Sequence, residues 1–144
     1  MKQEKEPVEF RYYEVPKNLP VLALLGERWE IPYGVNPMHF HNHLEIGYCH
    51  YGEGQICHGN ESTAYGAGTL TVIPKNYPHC TKEDEQKKQK WEYLFIDVDQ
   101  MLYTAYPERK LWVKGIIRRI ESGCLILQEN ENTQLSLLVR LILE

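Results

Sequence analysis

Turn-forming residues punctuate the chain from Val21 to Pro78 about every eight to twelve positions. That spacing leaves room for short strands, and it is the rhythm of an antiparallel sandwich or barrel. Leu24 to Tyr33 is a strand candidate, followed by the loop Gly34-Val35-Asn36-Pro37. Leu44 to Tyr51 is the next strand, and Gly52-Glu53-Gly54 reads as a hairpin turn after it. Gln55 to His58 returns, Gly59-Asn60-Glu61-Ser62 turns, and Thr63 to Tyr65 runs out again. Gly66-Ala67-Gly68 bends the chain into Thr69-Leu70-Thr71-Val72-Ile73, closed by Pro74. Trp91 to Asp97, aromatic and β-branched, is the strongest strand of all.

The character changes after Asp97. Asp99 to Tyr103 suits a short helical turn, and Lys110 to Ile120 places apolar residues closer to period 3.6 than to period 2. Gly123 to Leu127 is ambiguous between strand and loop. The last segment is a helix, with Asn132 or Asn130 as N-cap and Leu135, Leu138, Val139 and Ile142 on one stripe. Leu137, Leu141 and Leu143 lie off that stripe, so the helix needs a second partner surface. No Gly, Asn or Pro stops it before Glu144, which reads as a helix continuing into a longer protein. At the other end, residues 1–20 are charged, then punctuated by Pro7, Pro16 and Pro20, and read as an arm with one short strand. The expected organisation is therefore mainly β: an arm at 1–20, a barrel at 21–103 and a helical segment at 104–144.

A chain of 144 residues is enough for one domain with a sizeable core. Its net charge of −4 speaks against broad phosphate binding. Lys87-Lys88-Gln89-Lys90 reads as a solvated loop, and the cations between Arg109 and Arg119 as a wet helix face. Met1-Lys2-Gln3-Glu4-Lys5-Glu6 has no apolar run behind it, and no stretch is long and apolar enough to span a membrane. The four cysteines show no Cys-x-x-Cys pair and read as reduced thiols, Cys49 and Cys80 as small apolar fillers. The expected location is the cytoplasm.

The chemistry concentrates in His39-Phe40-His41-Asn42-His43-Leu44-Glu45 and in His79. In an extended strand, residues 39, 41 and 45 point the same way. Imidazole and carboxylate together suit zinc, iron, manganese, nickel or copper, and His79 is placed to supply a fourth ligand. Three readings fit the cluster: it holds a divalent transition metal, it hydrogen-bonds a small polar ligand directly, or it is a structural network at a barrel mouth. His43 shares the parity of 39 and 41, and its side is undecided. His50 and His58 read as ordinary strand residues. Trp29, Tyr33, Tyr48, Trp91 and Tyr93 are candidate pocket walls, since ligand cavities are lined by aromatics with few polar groups, and Glu45 is a candidate ligand contact.

Gly34, His39-x-His41, Glu45 and Gly52, followed by Gly68, Pro74 and His79, resemble the two-part cupin signature, with Asn76 where the signature has Gly and Glu83 where it ends in Asn. That resemblance implies a small β-barrel in which His39, His41, Glu45 and His79 bind a metal. More particularly, the runs His41 to Gly54 and Gly68 to Pro74, His79, and the run Trp91 to Asp97 resemble the sensor half of AraC-family transcription regulators. In that family the barrel takes a small molecule, a sugar in the type member, beneath an N-terminal arm. Linker helices then dimerise and lead to a DNA-binding half that the present chain lacks. The resemblance implies a small-molecule effector and a homodimer through Leu135, Leu138, Val139 and Ile142. The acidic balance and the lack of a recognition helix predict no nucleic acid binding by these residues, the hydropathy predicts no membrane, and no enzymatic activity is expected. A metal-dependent cupin enzyme, an oxygenase or isomerase, is the alternative.

Overall fold

A computed structural model describes residues 7–25, 36–83 and 88–144 of the chain. Most of the expected strand from Leu24 to Tyr33 lies outside the described residues. Strands β1 (Glu9–Arg11), β3 (His39–His41), β8 (His79–Glu83), β5 (Gly54–His58) and β6 (Glu61–Tyr65) form one five-stranded sheet in that spatial order. Strands β10 (Leu125–Leu127), β7 (Leu70–Ile73), β4 (Leu44–Tyr51), β9 (Lys90–Ile96) and β2 (Val21–Leu24) form the other. All pairings are antiparallel except β1 with β3, which run parallel. Among the described residues between 40 and 97 there is no helix. The mainly β expectation holds.

Period-two alternation sorts the side chains of the second sheet. Along β4 and β9, Glu45, Gly47, Cys49, Trp91, Tyr93 and Phe95 face the other sheet. Cys49 and Trp91 join Ile56 and Tyr65 in one buried cluster. Tyr48, Leu70 and Leu94 face outward, and there they meet Val139 and Leu143 in a second cluster. Helix α3 (Thr133–Leu143) thus covers the outer face of this sheet. Its N-cap is Asn132, whose side chain accepts a hydrogen bond from the Leu135 backbone N–H at 3.0 Å.

Three local expectations need correction. Gly52-Glu53-Gly54 does not close a hairpin, because β4 and β5 belong to different sheets. Turn residues mark where the chain reverses, not which strand it then joins. Gly52 is needed for another reason: its φ is +104°, and an added Cβ would stand 2.5 Å from the Gln89 side chain. The true hairpin is β5–β6, where His58 pairs with Glu61 across Gly59 and Asn60. Second, the apolar stripe of α3 is divided. Val139 is buried and Leu135 partly buried against the sheet, while Leu138 and Ile142 are 57% and 62% exposed. Leu143, expected off the stripe, is buried instead. Third, Asp97 ends no strand; its carboxylate caps α1 (Val98–Ala105) by accepting from Gln100 N–H at 3.0 Å. Helix α2 spans Lys110–Ile120 as the periodicity predicts, and the ambiguous segment is β10, paired with β7. Lys75 ties the helices to the barrel through Asp99 at 2.5 Å and Glu121 at 3.0 Å.

Candidate metal centre

The sequence reading put His39, His41 and Glu45 on one face of one strand. The structure reaches the same convergence by another route. The chain bends at Asn42 and His43, so His39 and His41 sit in the first sheet and Glu45 in the second. The side chains then meet across the barrel interior. Asn42 fixes the bend: its Oδ1 accepts from Tyr13 N–H at 2.8 Å and its Nδ2 donates to Tyr13 O at 3.0 Å. His79 enters from β8, directly opposite His39 in the ladder. His43 lies in the bend and lines a different, outer pocket with Leu44, Lys75 and Asp97. Its parity with His41 carries no meaning once the strand breaks.

Each of the three histidines is oriented by a backbone carbonyl. His39 Nδ1 lies 2.9 Å from Pro37 O, His41 Nδ1 2.7 Å from His43 O, and His79 Nδ1 2.9 Å from Tyr77 O. A carbonyl oxygen only accepts, so each Nδ1 carries the proton, and each neutral ring keeps a bare lone pair on Nε2. This is the arrangement that metal-ligating histidines use. His41 Nε2 stands 3.0 Å from Glu45 Oε2, and His79 Nε2 3.7 Å from the same oxygen. Yet His41 Nε2 is buried and makes no hydrogen bond among the described residues. With the proton of each ring on Nδ1, two lone-pair atoms face each other at that distance, and a positive charge between them, a metal ion or a second imidazole proton, satisfies both. Ligands around a tetrahedral ion at ~2.1 Å stand ~3.4 Å apart, and the two distances bracket that value. One ligand atom from each of His41, Glu45 and His79 lies within 4.8 Å of the others. The donor set therefore fits a divalent transition metal. His39 stands beside these three, its ring centroid 4.4 Å from that of His79 and 6.2 Å from that of His41.

The electrostatics follow from burial and proximity. Burial, together with the neighbouring His79, pushes His39 down to about 4. Burial works against ionisation of Glu45, but His41 and His79 outweigh it and hold the carboxyl well below its usual range. Burial opposes protonation of His79, and Glu45 overcomes it, raising the imidazole above its ordinary value. The cluster thus holds an ionised carboxylate among histidines, one of which, His79, it keeps more basic than usual.

A cavity of about 270 Å³ opens beside the cluster, lined by His39, Glu45 and His79 and walled by Trp91, Tyr93 and Phe95. Trp91 and Tyr93 are where the sequence reading expects them. Tyr48 is not: it faces outward beneath α3, because residue 48 has the opposite parity to residue 45. That alternation was available in the sequence. Trp29 and Tyr33 lie outside the described residues. Arg11, Tyr13, Asn36, Thr71 and Thr81 also line the cavity and were missed. Tyr13 stacks on Phe95 with centroids 3.9 Å apart, so part of the N-terminal segment forms a wall of the interior. No local signal points to Arg11 or Tyr13, since their place depends on the parallel pairing of β1 with β3. His50 pairs with Glu92 at 2.7 Å on the surface, and His58, opposite His79 in the β5–β8 ladder, lies 2.9 Å from Thr63 Oγ1 and 3.3 Å from Cys124 Sγ and does not join the converging three.

Residues 28–97 match the family model described as Cupin domain. The barrel is a cupin domain. Cupin barrels bind small molecules or metals and serve both enzymes and non-enzymes, and the His41–Glu45–His79 group of this one is placed to hold a metal. No curated protein matches the chain. Among the described residues no helix is long and apolar enough to cross a membrane.

Proposed function

We propose that the chain is a metal-containing, small-molecule-sensing domain of an AraC-type transcription regulator. One observation carries the metal: the buried, unbonded Nε2 of His41 facing Glu45, with His79 completing the group. His41, Glu45 and His79 hold the ion, with His39 beside them. The ion supplies a Lewis-acidic point at the cavity, where an oxygen-bearing ligand is gripped. The aromatic wall of Trp91 and Tyr93 suits the apolar face of a saccharide. The AraC-like text from His41 to Gly54 and from Trp91 to Asp97 supports the regulator. So does the exposed apolar face of α3, which suits pairing with a second copy.

The experiment is elemental analysis of the chain purified without chelator, beside His41→Ala and His79→Ala. About one ion per wild-type chain and none in the variants is expected for such a site. A folded wild type that retains no metal after incubation with zinc, iron, manganese or nickel overturns the metal. Two helix-turn-helix motifs downstream of Glu144 in the parent sequence are expected if the regulator reading is right, and their absence overturns it.

A second reading is a metal-dependent oxygenase or isomerase. The cavity beside the metal ligands favours it, since a substrate there reaches the ion. Against it, beyond His39 and the group that holds the ion, the described lining offers no general base. Burial raises the Tyr13 hydroxyl, and raises that of Tyr93 well above the ordinary tyrosine value, so both stay protonated. A ligand recovered unchanged after prolonged incubation supports the sensor, and turnover supports the enzyme.

A further inference from the structure

We propose that the ligand of the barrel is a carboxylic acid, a sugar acid if the saccharide reading holds, and that Arg11 receives its carboxylate. The inference rests on the metal-and-ligand reading above and deepens it.

Arg11 belongs to β1, in register with His41, and lines the same cavity as His39, Glu45 and His79. Its side chain is held in place from one side. Nη2 donates to Asn36 Oδ1 at 3.1 Å, and Asn36 Nδ2 donates in turn to Thr81 Oγ1 at 3.0 Å. Nε donates to Glu9 Oε1 at 3.2 Å, and Tyr13 lies beside the guanidinium. Five N–H donors exceed these partners among the described residues, so part of the fork is left for a ligand. The Glu9 pair does not neutralise the group firmly. The Glu9 side chain is half exposed, and such surface pairs are weak and screened.

The charge balance of the interior points the same way. A divalent ion on Glu45 leaves one positive charge, the histidines being neutral ligands, and Arg11 adds another. A low-dielectric cavity with that excess favours an anion over a neutral molecule of similar shape. Arg is also the side chain whose planar fork matches a carboxylate. A second polar group is available to the ligand. Thr71 Oγ1 is buried, makes no hydrogen bond among the described residues, and lines the same cavity. On the same sheet face as Thr71, the Trp91 and Tyr93 rings border the cavity and offer an apolar wall to the rest of the molecule. The site suits a compact molecule with an acid group, a hydroxyl and an apolar face.

The test is calorimetric titration of the whole, zinc-loaded chain with two matched pairs, D-glucuronate against D-glucose and benzoate against benzyl alcohol. The sugar pair reports a sugar acid and the benzene pair an aromatic acid. In at least one pair the acid is expected to bind about tenfold tighter than its neutral partner, the size of one charge-assisted contact. Arg11→Gln is expected to erase that preference, and Arg11→Lys to restore part of it. Lys110→Gln, which removes a cation far from the cavity, leaves the preference in place. The melting temperature of each variant without ligand shows whether it folds. Equal binding of acid and neutral partner in both pairs, no binding of either acid, or a preference that survives Arg11→Gln in a folded protein overturns the inference. A chain that holds its metal but shows no acid preference loses this inference alone, whereas a chain that holds no metal loses the reading beneath it.

Discussion

The two faces of the sheet β10-β7-β4-β9-β2 are made by the same strands and do opposite things. Inward from β4 and β9 come Glu45, Trp91, Tyr93 and Phe95, which border a cavity, and on that side His41 Nε2 and Thr71 Oγ1 make no hydrogen bond among the described residues. Outward come Tyr48 and Leu94, which with Leu70 are sealed under Val139 and Leu143. One face keeps polar atoms poised and unfilled, and the other is closed and apolar. The lesson is positional. Residues one apart on β4, Glu45 and Ile46, belong to different functions, and a displacement of the strand would be felt by both the interior cluster and α3.

Core truncation gives the largest effect that can test this division. Trp91→Ala, at the inward base, is expected to cost about 3–5 kcal/mol, and Leu94→Ala, on the outward face, about 2–5 kcal/mol, by urea denaturation. Both side chains are buried. A cost below about 1 kcal/mol for Leu94→Ala would mean that α3 does not seal the outer face.

Metal retention separates the faces more sharply. His79→Ala is expected to weaken metal affinity by about 100-fold or more, while Tyr48→Phe leaves it unchanged. The readout is competition against a chromogenic chelator. Loss of metal in Tyr48→Phe would show that the two faces are not independent.

Much of this division was legible in the chain. The bounds of β4 and α2, the Asn132 cap and the set His41, Glu45 and His79 follow from local signals: alternation, period 3.6 and ligand spacing. What could not be read depends on which strand joins which. Gly52 and Gly54 announce a turn, but whether β5 pairs with β4 or crosses to the other sheet is decided by packing that residues far apart contribute. Arg11 and Tyr13 reach the cavity through a parallel pairing that no local pattern encodes. Tyr48 is different, since its parity already set it opposite Glu45.

Two glycines sharpen the contrast at smaller amplitude. A Cβ on Gly47 would stand 2.5 Å from Thr71 Oγ1 and 3.1 Å from the Tyr93 ring. Gly47→Ala is therefore expected to cost about 1–3 kcal/mol and to narrow the cavity. Gly115 lies within α2 with nothing within 4 Å of an added Cβ. Gly115→Ala is expected to stabilise by about 0.5–1 kcal/mol, the difference in helix propensity. Thermal melts of both variants suffice. A neutral Gly47→Ala would show that Thr71 and Tyr93 yield easily, and hence that the cavity wall is softer than its packing implies.

The smallest effect on stability belongs to the outer surface of α3. Leu137, Leu138, Leu141 and Ile142 are each 56–62% exposed, while Ser136, Val139 and Leu143 face the sheet. The helix therefore has two apolar sides, one already covered. Leu135 and Val139, expected at a dimer interface, are engaged within the chain, so the proposed pairing with a second copy falls to Leu138 and Ile142 with their neighbours Leu137 and Leu141. Twofold pairing is the commonest way to cover such a face. Leu138→Glu and Ile142→Glu are expected to change monomer stability by no more than about 0.5 kcal/mol, since each replaces an exposed side chain. Both are expected to abolish dimerisation in sedimentation equilibrium, because a charge would be buried in the interface. Val139→Glu acts in the opposite sense, unfolding the outer cluster rather than merely separating copies. A wild-type monomer at high micromolar concentration, or a dimer indifferent to both exposed substitutions, removes α3 as the interface.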